Sequence, residues 1–379
     1  MRVKVSSIGH TKFGRNPKPI NELIKDVAEQ ATKDIPINSI DKIILSNFSS
    51  GFIGQCHLNA ITASALGIHS DIMRVESACA SGGIAIKEAF DLISSGLYNQ
   101  ILVIGVEKMT QMSSEKATQI LSHATSEGER AYGMSFPTLF ALMARRHFYE
   151  FGTNEEDLAK ISVKNHNNAL LNEVAQYHKK ISIDDVMNSN YIASPLKLLD
   201  CSPFSDGAAS ILLTHPDITT PFDDDKIYLT GSGLDIGPIE LYNRKSITSL
   251  PSVIYAAKSA MQQCSLSPKD IDFAELHDCF TIAELLQIED IGFCKKGEAK
   301  RLINDEEIGL DGFIPINPSG GLKAKGHPVG ATGISQAVEV VKQLRGEADK
   351  RQISDVQRGL CCNIGGSGAS AVVSIFERG

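Results

Sequence analysis

No stretch of the 379-residue chain approaches the ~20 consecutive apolar residues that a membrane-spanning helix needs. The opening MRVKVSSIGHTKFG also lacks the apolar core of a secretory signal, so a cytoplasmic protein is expected. Positive charge is scarce. Against 45 Asp and Glu there are 37 Lys and Arg, a formal net charge of −8. That balance excludes bulk attraction to nucleic acid or to an anionic membrane, and leaves any anionic ligand to a local basic patch or to helix N-termini. The eight cysteines contain no Cys-x-x-Cys pair, and Cys361 and Cys362 are adjacent, which argues against a zinc site. Without a secretory signal, the even cysteine count reads as reduced thiols rather than a disulfide framework.

What is present is an ordinary globular composition, 42% apolar and 22% charged. At ~100–200 residues per domain, the length predicts two similar units with room for an insertion. Apolar runs of strand length recur at Lys42–Leu45, Ile101–Val106, Ile211–Leu213, Tyr228–Leu229 and Ala371–Phe376. Such runs suit strands buried on both faces. Between them, Ile84–Leu97, Thr281–Ile291 and Ile334–Leu344 carry apolar residues at helical spacing. Strands alternating with helices predict an α/β fold.

A weak internal repeat refines the division. Ser205-Asp-Gly-Ala-Ala-Ser-Ile-Leu-Leu-Thr214 resembles Gly366-Ser-Gly-Ala-Ser-Ala-Val-Val-Ser-Ile375, and Cys79 and Cys279 each precede an Ile-Ala step that opens a helix. Two duplicated α/β halves follow, the first carrying an insertion within the polar, helical stretch between about Lys116 and Ala193. The expected units are an N-terminal half formed by 1–115 plus 196–222, an inserted segment at 116–195 and a C-terminal half at 223–379. Asp223-Asp224-Asp225 reads as a solvated linker.

Four segments carry candidate chemistry. In Glu76-Ser-Ala-Cys-Ala-Ser-Gly-Gly83 a thiol stands at a helix N-terminus, where the macrodipole favours thiolate. Gly82 and Gly83 would admit a bulky thioester or another backbone. The bland alternative is a small buried hydrophobe at a strand–helix junction. The glycine-rich run Asn317–Gly333 reads as a loop, with His327 between Gly326 and Pro328 available to bond a thiol or an oxyanion, or merely a backbone carbonyl. Glu275-Leu-His-Asp-Cys-Phe280 ends a strand with titratable groups, a place where α/β sites gather but also where satisfied core residues sit. Gly359-Leu-Cys-Cys-Asn-Ile-Gly-Gly-Ser-Gly368 reads as a tight turn into the last strand, with or without an anion nest.

Together, in this order and approximate spacing, the four segments resemble the thiolase superfamily over essentially the whole chain. His277-Asp-Cys-Phe280 is similar to the variant of sterol-carrier-protein-type and archaeal thiolases. The resemblance implies a five-layer αβαβα fold of two duplicated halves with an inserted loop domain. It implies acetyl-CoA C-acetyltransferase activity by ping-pong Claisen condensation, with coenzyme A and acetyl-CoA as substrates and no metal or redox cofactor. By resemblance, Cys79 is the acylated nucleophile, and His327 activates it and then joins His277 in holding the enolate oxygen. The amides of Cys79 and Gly365 hold the second acyl oxygen. Where the family has a second cysteine, this chain has Asn363, so Cys279 becomes the candidate acid/base, with Cys361 and Cys362 as alternatives. Met134, Ser202 and Phe280 are expected along the pantetheine. Arg130, Arg145 and Arg146 are candidates for the phosphates, against a solvated-face reading.

Two rivals share these residues. A ketosynthase-type condensing enzyme of the same superfamily uses a Cys-His-His site, although it needs no second thiol. A noncatalytic scaffold subunit needs none of them. The resemblance also implies a homodimer or homotetramer, and a partnership with 3-hydroxy-3-methylglutaryl-CoA synthase through a small bridging protein. The ending Phe376-Glu-Arg-Gly379 is not a peroxisomal signal of the Ser-Lys-Leu type.

Overall fold

The computed structural model describes residues 2–218 and 226–379. The Asp223–Asp225 run and the 222/223 division lie outside the described residues.

The N-terminal half runs β1 (Val3–His10), α1 (Ile20–Ala31), β2 (Lys42–Ser46), α2 (Leu58–Leu66), β3 (Asp71–Val75), α3 (Ser81–Ser94) and β4 (Gln100–Lys108). An excursion follows: α4 (Ser114–Ser122), α5 (Glu127–Ala131), α6 (Phe136–Phe151), α7 (Glu155–Ala169), α8 (Ile183–Met187) and a small hairpin, β5 (Tyr191–Ala193) with β6 (Leu196–Lys197). β7 (Asp206–Thr214) then closes the half. The second half runs β8 (Ile227–Ile236), α9 (Pro251–Cys264), β9 (Phe273–Glu275), α10 (Thr281–Ile291), α11 (Ala299–Asn304), α12 (Val329–Arg345), β10 (Arg358–Gly365) and β11 (Ser370–Arg378).

Nine strands are linked in the order β3-β2-β4-β7-β1-β8-β11-β10-β9. The junction is short: β1 meets β8 only through Val3, Lys4 and Val5. On either side the pattern repeats. β2 lies parallel to β4, and β4 is antiparallel to β7, as β9 is parallel to β10 and β10 antiparallel to β11. β3 has its counterpart in Ile316, which bridges parallel to Ala274 on the far side of β9. The duplication therefore matches α3 with α12, and α2 with α10.

This register corrects part of the sequence repeat. The strand pair β7 and β11 matches as expected. Cys79 and Cys279 do not: Cys279 precedes α10, the partner of α2, whereas the partner of the Cys79 turn is the turn holding His327. The excursion is correspondingly longer than a Cys79–Cys279 alignment implies. It occupies everything between Lys108 and Asp206, where the second half has only the turn from Gly365 to Ser370.

Core composition explains the layering. Along β2, Ile43 and Leu45 face α1 and α2, while Ile44 faces the middle, as period-two alternation requires. α3 and α12 share the middle cluster with strands of both halves, through Ile86, Phe90, Ile334 and Val338. α9 and α10 cover the second half's other face. Helix, sheet, helix, sheet, helix is the five-layer arrangement expected. The apolar strand runs are thus buried on both faces. No helix among the described residues is long and apolar enough to cross a membrane.

Two glycine-rich stretches differ from expectation. Gly359–Gly365 is strand β10 rather than turn. The Asn317–Gly333 run holds a single π-helical turn, Gly321–Lys325, and its last two glycines lie inside α12. They are there for packing. A Cβ at Gly333 would stand 2.4 Å from Gly83 N, and one at Gly82 would stand 2.9 Å from Gly333 N. The two central helices cross at these glycines, so Gly82 and Gly83 admit another backbone, not a thioester.

Candidate active site

From the end of β3 the chain turns sharply through Glu76–Ala80 into α3. Ala78 has φ 50°, a left-handed value that costs a non-glycine residue about 1–2 kcal/mol. The turn is braced locally. Ala78 N donates to Glu76 Oε1 (2.6 Å), Ser77 N donates to Ser81 Oγ (2.8 Å), and that hydroxyl donates to Ala78 O (2.6 Å). From across the sheet Gly365 closes in: a Cβ there would lie 2.6 Å from Ser77 O. A cavity of about 440 Å³ opens beside the turn, lined among others by Glu76, Ala78, Gly366 and, from the excursion, His123. None of Met134, Ser202 and Phe280 lines it.

The Cys79 thiol is buried, and burial pushes its pKa up to about 12, with Glu107 and Glu76 adding to the rise and the Gly366 amide opposing it. Desolvation therefore outweighs the helix dipole. The resting group is a neutral thiol, not the thiolate that its place at a helix N-terminus suggests.

His327 is held from both sides. Its backbone N donates to Ser205 Oγ (2.8 Å), which itself donates to Gln176 Oε1 (2.6 Å). Its Nδ1 lies 2.7 Å from Thr332 Oγ1, which donates its own proton to Pro328 O (3.0 Å). With that hydroxyl proton committed, Thr332 accepts from Nδ1–H, and Nε2 keeps its lone pair. Burial lowers the His327 pKa to about 3, so the imidazole is neutral.

The preceding π-helical turn and the residues before it are fixed by carboxyl groups at the end of β9 and in the β9–α10 connection. Asp278 accepts from Leu322 N (2.6 Å) and Lys323 N (3.2 Å), and Glu275 accepts from Ser319 N (2.9 Å) and Ser319 Oγ (2.7 Å). The middle residue of His277-Asp-Cys thus anchors the segment that carries His327.

His277 completes the constellation. Cys79, His277 and His327 each offer a sulfur or ring nitrogen, and these atoms lie within 4.8 Å of one another. The two rings meet edge to face with centroids 5.1 Å apart. By spacing alone, such a group could also hold a metal ion. His277 Nδ1 faces Asn363 Nδ2 at 3.0 Å, whereas its Nε2 is buried with no partner among the described residues.

Cys279 stands close by but outside that triangle. Burial first, then the neighbouring Cys79, pushes its thiol well above the ordinary range. Its carbonyl accepts from Ser202 N (2.9 Å), and the next residue, Phe280, packs against Phe140 with tilted rings 4.8 Å apart. Met134 packs against the same apolar cluster. Cys361 and Cys362 are buried within β10, on opposite faces of the sheet. Arg145 donates to Ser194 O and Oγ, and Arg146 to Glu150, so both guanidiniums are engaged inside the chain. Arg130 is exposed at the end of α5.

Comparison with known proteins bears on this geometry. Residues 3–217 match the family described as "Thiolase, N-terminal domain", and residues 239–378 match "Thiolase C-terminal domain-like". The chain belongs to the thiolase family. Among relatives, it is 43% identical to a protein named acetyl-CoA acetyltransferase from Methanothermobacter thermautotrophicus, covering 99% of both chains. A protein of the same name from Methanocaldococcus jannaschii is 40% identical, over 99% of this chain and 98% of that one. Human sterol carrier protein 2 is 32% identical, over 100% of this chain and 72% of its own length. Among solved structures, human mitochondrial 3-ketoacyl-CoA thiolase superposes with TM-score 0.75 at 14% identity, over 100% and 98% of the two chains. The "Ltp2-ChsH2(DUF35) aldolase" superposes with TM-score 0.83 at 24% identity, over 98% and 97%. At these identities the two structures share the thiolase fold with this chain and no more.

Several supporting residues of this thiolase site carried no signal of their own in the sequence. Ser205 and Thr332 were visible only as members of small-residue stretches, and Glu107 only as the residue after the Ile101–Val106 run. Glu107 accepts from Phe48 N (2.7 Å) and Gly330 N (3.0 Å), tying β4 to the start of α12.

Proposed function

We propose that this chain is an acetyl-CoA C-acetyltransferase that makes or cleaves acetoacetyl-CoA through an acyl-Cys79 intermediate. The observation that carries the reading is the convergence of Cys79, His277 and His327 within 4.8 Å at the mouths of the two equivalent helices α3 and α12.

With a neutral thiol facing a neutral imidazole, the base acts in step with the attack. His327 Nε2 takes the Sγ proton as sulfur adds to the acetyl-CoA carbonyl. The bond from carbonyl carbon to the coenzyme sulfur breaks, and the departing thiolate takes the Cys279 proton. The Cys279 thiolate then removes a Cα proton from a second acetyl-CoA. Its enolate oxygen is held by protonated His327 and by His277, while the amides of Cys79 and Gly365 hold the oxygen of the acyl-cysteine. Carbon attacks that acyl group, Cys79 sulfur leaves, and His327 returns its proton. Every proton is accounted for without a metal or redox cofactor. Cys279 is preferred to Cys361 and Cys362 because Cys79 is a neighbour that raises its thiol, whereas those two are packed into the core within β10.

The inserted segment, taken as 116–195 within an N-terminal half of 1–115 plus 196–222 and ahead of a C-terminal half at 223–379, covers the coenzyme in this reading. Met134, Ser202 and Phe280 lie along the pantetheine. The same reading takes the protein as cytoplasmic and homo-oligomeric, with 3-hydroxy-3-methylglutaryl-CoA synthase and a small bridging protein as partners. The two partner proteins rest on the His277-Asp-Cys-Phe280 variant alone.

The test is intact-protein mass after exposure to acetyl-CoA. Wild type and Cys279→Ala should gain one acetyl group and Cys79→Ala none, with Cys279→Ala failing at carbon–carbon bond formation and Cys361→Ala unaffected. Acetylation that survives in Cys79→Ala defeats the reading. A ketosynthase-type reading is favoured by one observation, that Cys279 lies outside the triangle. It predicts no loss of acetoacetyl-CoA when free coenzyme A is supplied.

A further inference from the structure

Asn363 stands where the family pattern has a thiol, at the crossing of the two central helices. A Cβ at Gly333 would come within 2.3 Å of its Oδ1, and one at Gly83 within 3.1 Å. Its partners fix which way the amide points. Gly83 N–H can only donate, so the atom 3.0 Å from it is Oδ1. Nδ2 is then the atom 3.0 Å from His277 Nδ1, and a carboxamide nitrogen offers only hydrogens. His277 Nδ1 must supply a lone pair. The one hydrogen of the neutral ring is left on Nε2, the buried atom with no partner among the described residues.

We propose that Asn363 is a positioning residue that fixes His277 as its Nε2–H tautomer, making the ring a hydrogen-bond donor and denying it to metal ions. The two consequences are one piece of chemistry. A donor is what a developing oxyanion needs beside Cys79. A metal needs the opposite, a free lone pair. A thiolate and two imidazoles this close, with one open position, are the donor set of a tetrahedral zinc site, and zinc there would occupy the nucleophile. As the structure stands, neither nitrogen of His277 can ligate: Nδ1 has given its lone pair to Asn363, and Nε2 carries hydrogen.

Asn363→Asp inverts this with almost no change of shape. One carboxylate oxygen still accepts from Gly83 N–H. The other can accept only from Nδ1–H, which bares Nε2, the arrangement that supports zinc-bound histidines through a carboxylate partner. Asn363→Ala removes the restraint without imposing the other tautomer.

The catalytic arm of the test rests on the acetyltransferase reading; the other two arms do not. On the full-length protein labelled with ¹⁵N-histidine, the wild type should carry the His277 hydrogen on Nε2 and Asn363→Asp should carry it on Nδ1. In competition with a chromophoric chelator, Asn363→Asp should bind zinc at least about tenfold more tightly than wild type, with Asn363→Ala between them. In thiolysis of acetoacetyl-CoA, kcat of Asn363→Asp should fall about 10²–10³-fold with little change in KM. A hydrogen on Nδ1 in the wild type overturns the proposal. So does wild-type zinc affinity in both variants, which also covers the case in which the aspartate variant fails to fold. If the wild type does not cleave acetoacetyl-CoA, the acetyltransferase reading fails while the tautomer and zinc arms still decide the role of Asn363.

Discussion

Thr332 Oγ1 lies 2.7 Å from His327 Nδ1 and passes its own proton to Pro328 O, one turn back along α12. A hydroxyl so committed can only accept from the ring, and Nε2 is therefore the basic nitrogen. Thr332→Val keeps the shape and removes the acceptor. It leaves Nδ1–H buried without a partner, so we expect acetylation of Cys79 to slow about 10- to 100-fold, with about 1 kcal/mol lost in urea unfolding. Thr332→Ser should restore both. An acetylation rate in Thr332→Val equal to wild type, followed by single-turnover mass measurement, defeats the assignment.

The protonation states of the pair set a pH dependence. Burial raises Cys79 to about 12, so its thiol deprotonates only as pH climbs toward that value. Burial lowers His327 to about 3, so its ring protonates only as pH falls toward that value. Between the two, neither group changes charge, so this pair adds no inflection to acetylation of Cys79 from about pH 6 to 9. Any inflection there belongs to buried Asp278, raised to about 7, or Glu107, raised to about 8. In His327→Ala the thiolate itself must attack, and iodoacetamide labelling of Cys79 should rise about tenfold per pH unit over that range. A midpoint near neutrality that persists in Asp278→Asn and in Glu107→Gln would point to a preformed thiolate–imidazolium pair instead.

The parts of this fold written in local pattern were legible from sequence. Ile101–Val106 and Ala371–Phe376 are apolar runs with no other use than a doubly covered strand, and both are strands. Where glycine serves packing, the local signal misleads. Gly330 and Gly333 read as loop because glycine disfavours helix, yet they sit in α12, since a Cβ at Gly333 would strike α3 at Gly83 N and one at Gly330 would strike Asn47 and the Val106 carbonyl of β4. The Cys79–Cys279 pairing failed for a related reason: a few similar residues around a helix start say nothing of which strand precedes it. In the site, Cys79, His277 and His327 stood out as motif residues. Ser205 and Asn363 work through contacts made across 122 and 86 positions, which no spacing rule reaches. The charge of Cys79 was misjudged because a helix N-terminus is visible in sequence and the depth of burial is not.

The glycine contact between the central helices should be intolerant of a single methyl. In Gly333→Ala the new Cβ would stand 2.3 Å from Asn363 Oδ1 and 2.4 Å from Gly83 N, neither of which is the free end of a flexible side chain. We expect destabilisation of about 3 kcal/mol or more, at the upper end of overpacking costs. Gly128→Ala, in α5 with only Tyr242 Oη at 3.8 Å, serves as the tolerant control. Urea midpoints that coincide for the two variants would show that α3 and α12 can part without cost.

Asp278 links the anchoring of the His327 segment to pH. Burial, and next the charge of Glu284, raise its pKa to about 7, against the opposing pull of the Leu322 and Lys323 amides and of Lys164. The folded protein therefore holds this proton more tightly than the unfolded chain, whose aspartate releases it near pH 4. Stability from this group is fully present below about pH 4 and is lost as pH rises to about 7. The loss has a slope of at most about 1.4 kcal/mol per pH unit. Asp278→Asn removes the titration. It also gives the Leu322 and Lys323 amides one acceptor oxygen in place of two, so overall stability should drop by about 1–3 kcal/mol. The diagnostic quantity is the difference in slope: between pH 4 and 7 the unfolding free energy of wild type should fall more steeply than that of the variant. Parallel slopes in a pH series of urea titrations would mean that Asp278 is already ionised when folded. The two amides would then be anchored by a full carboxylate throughout that range.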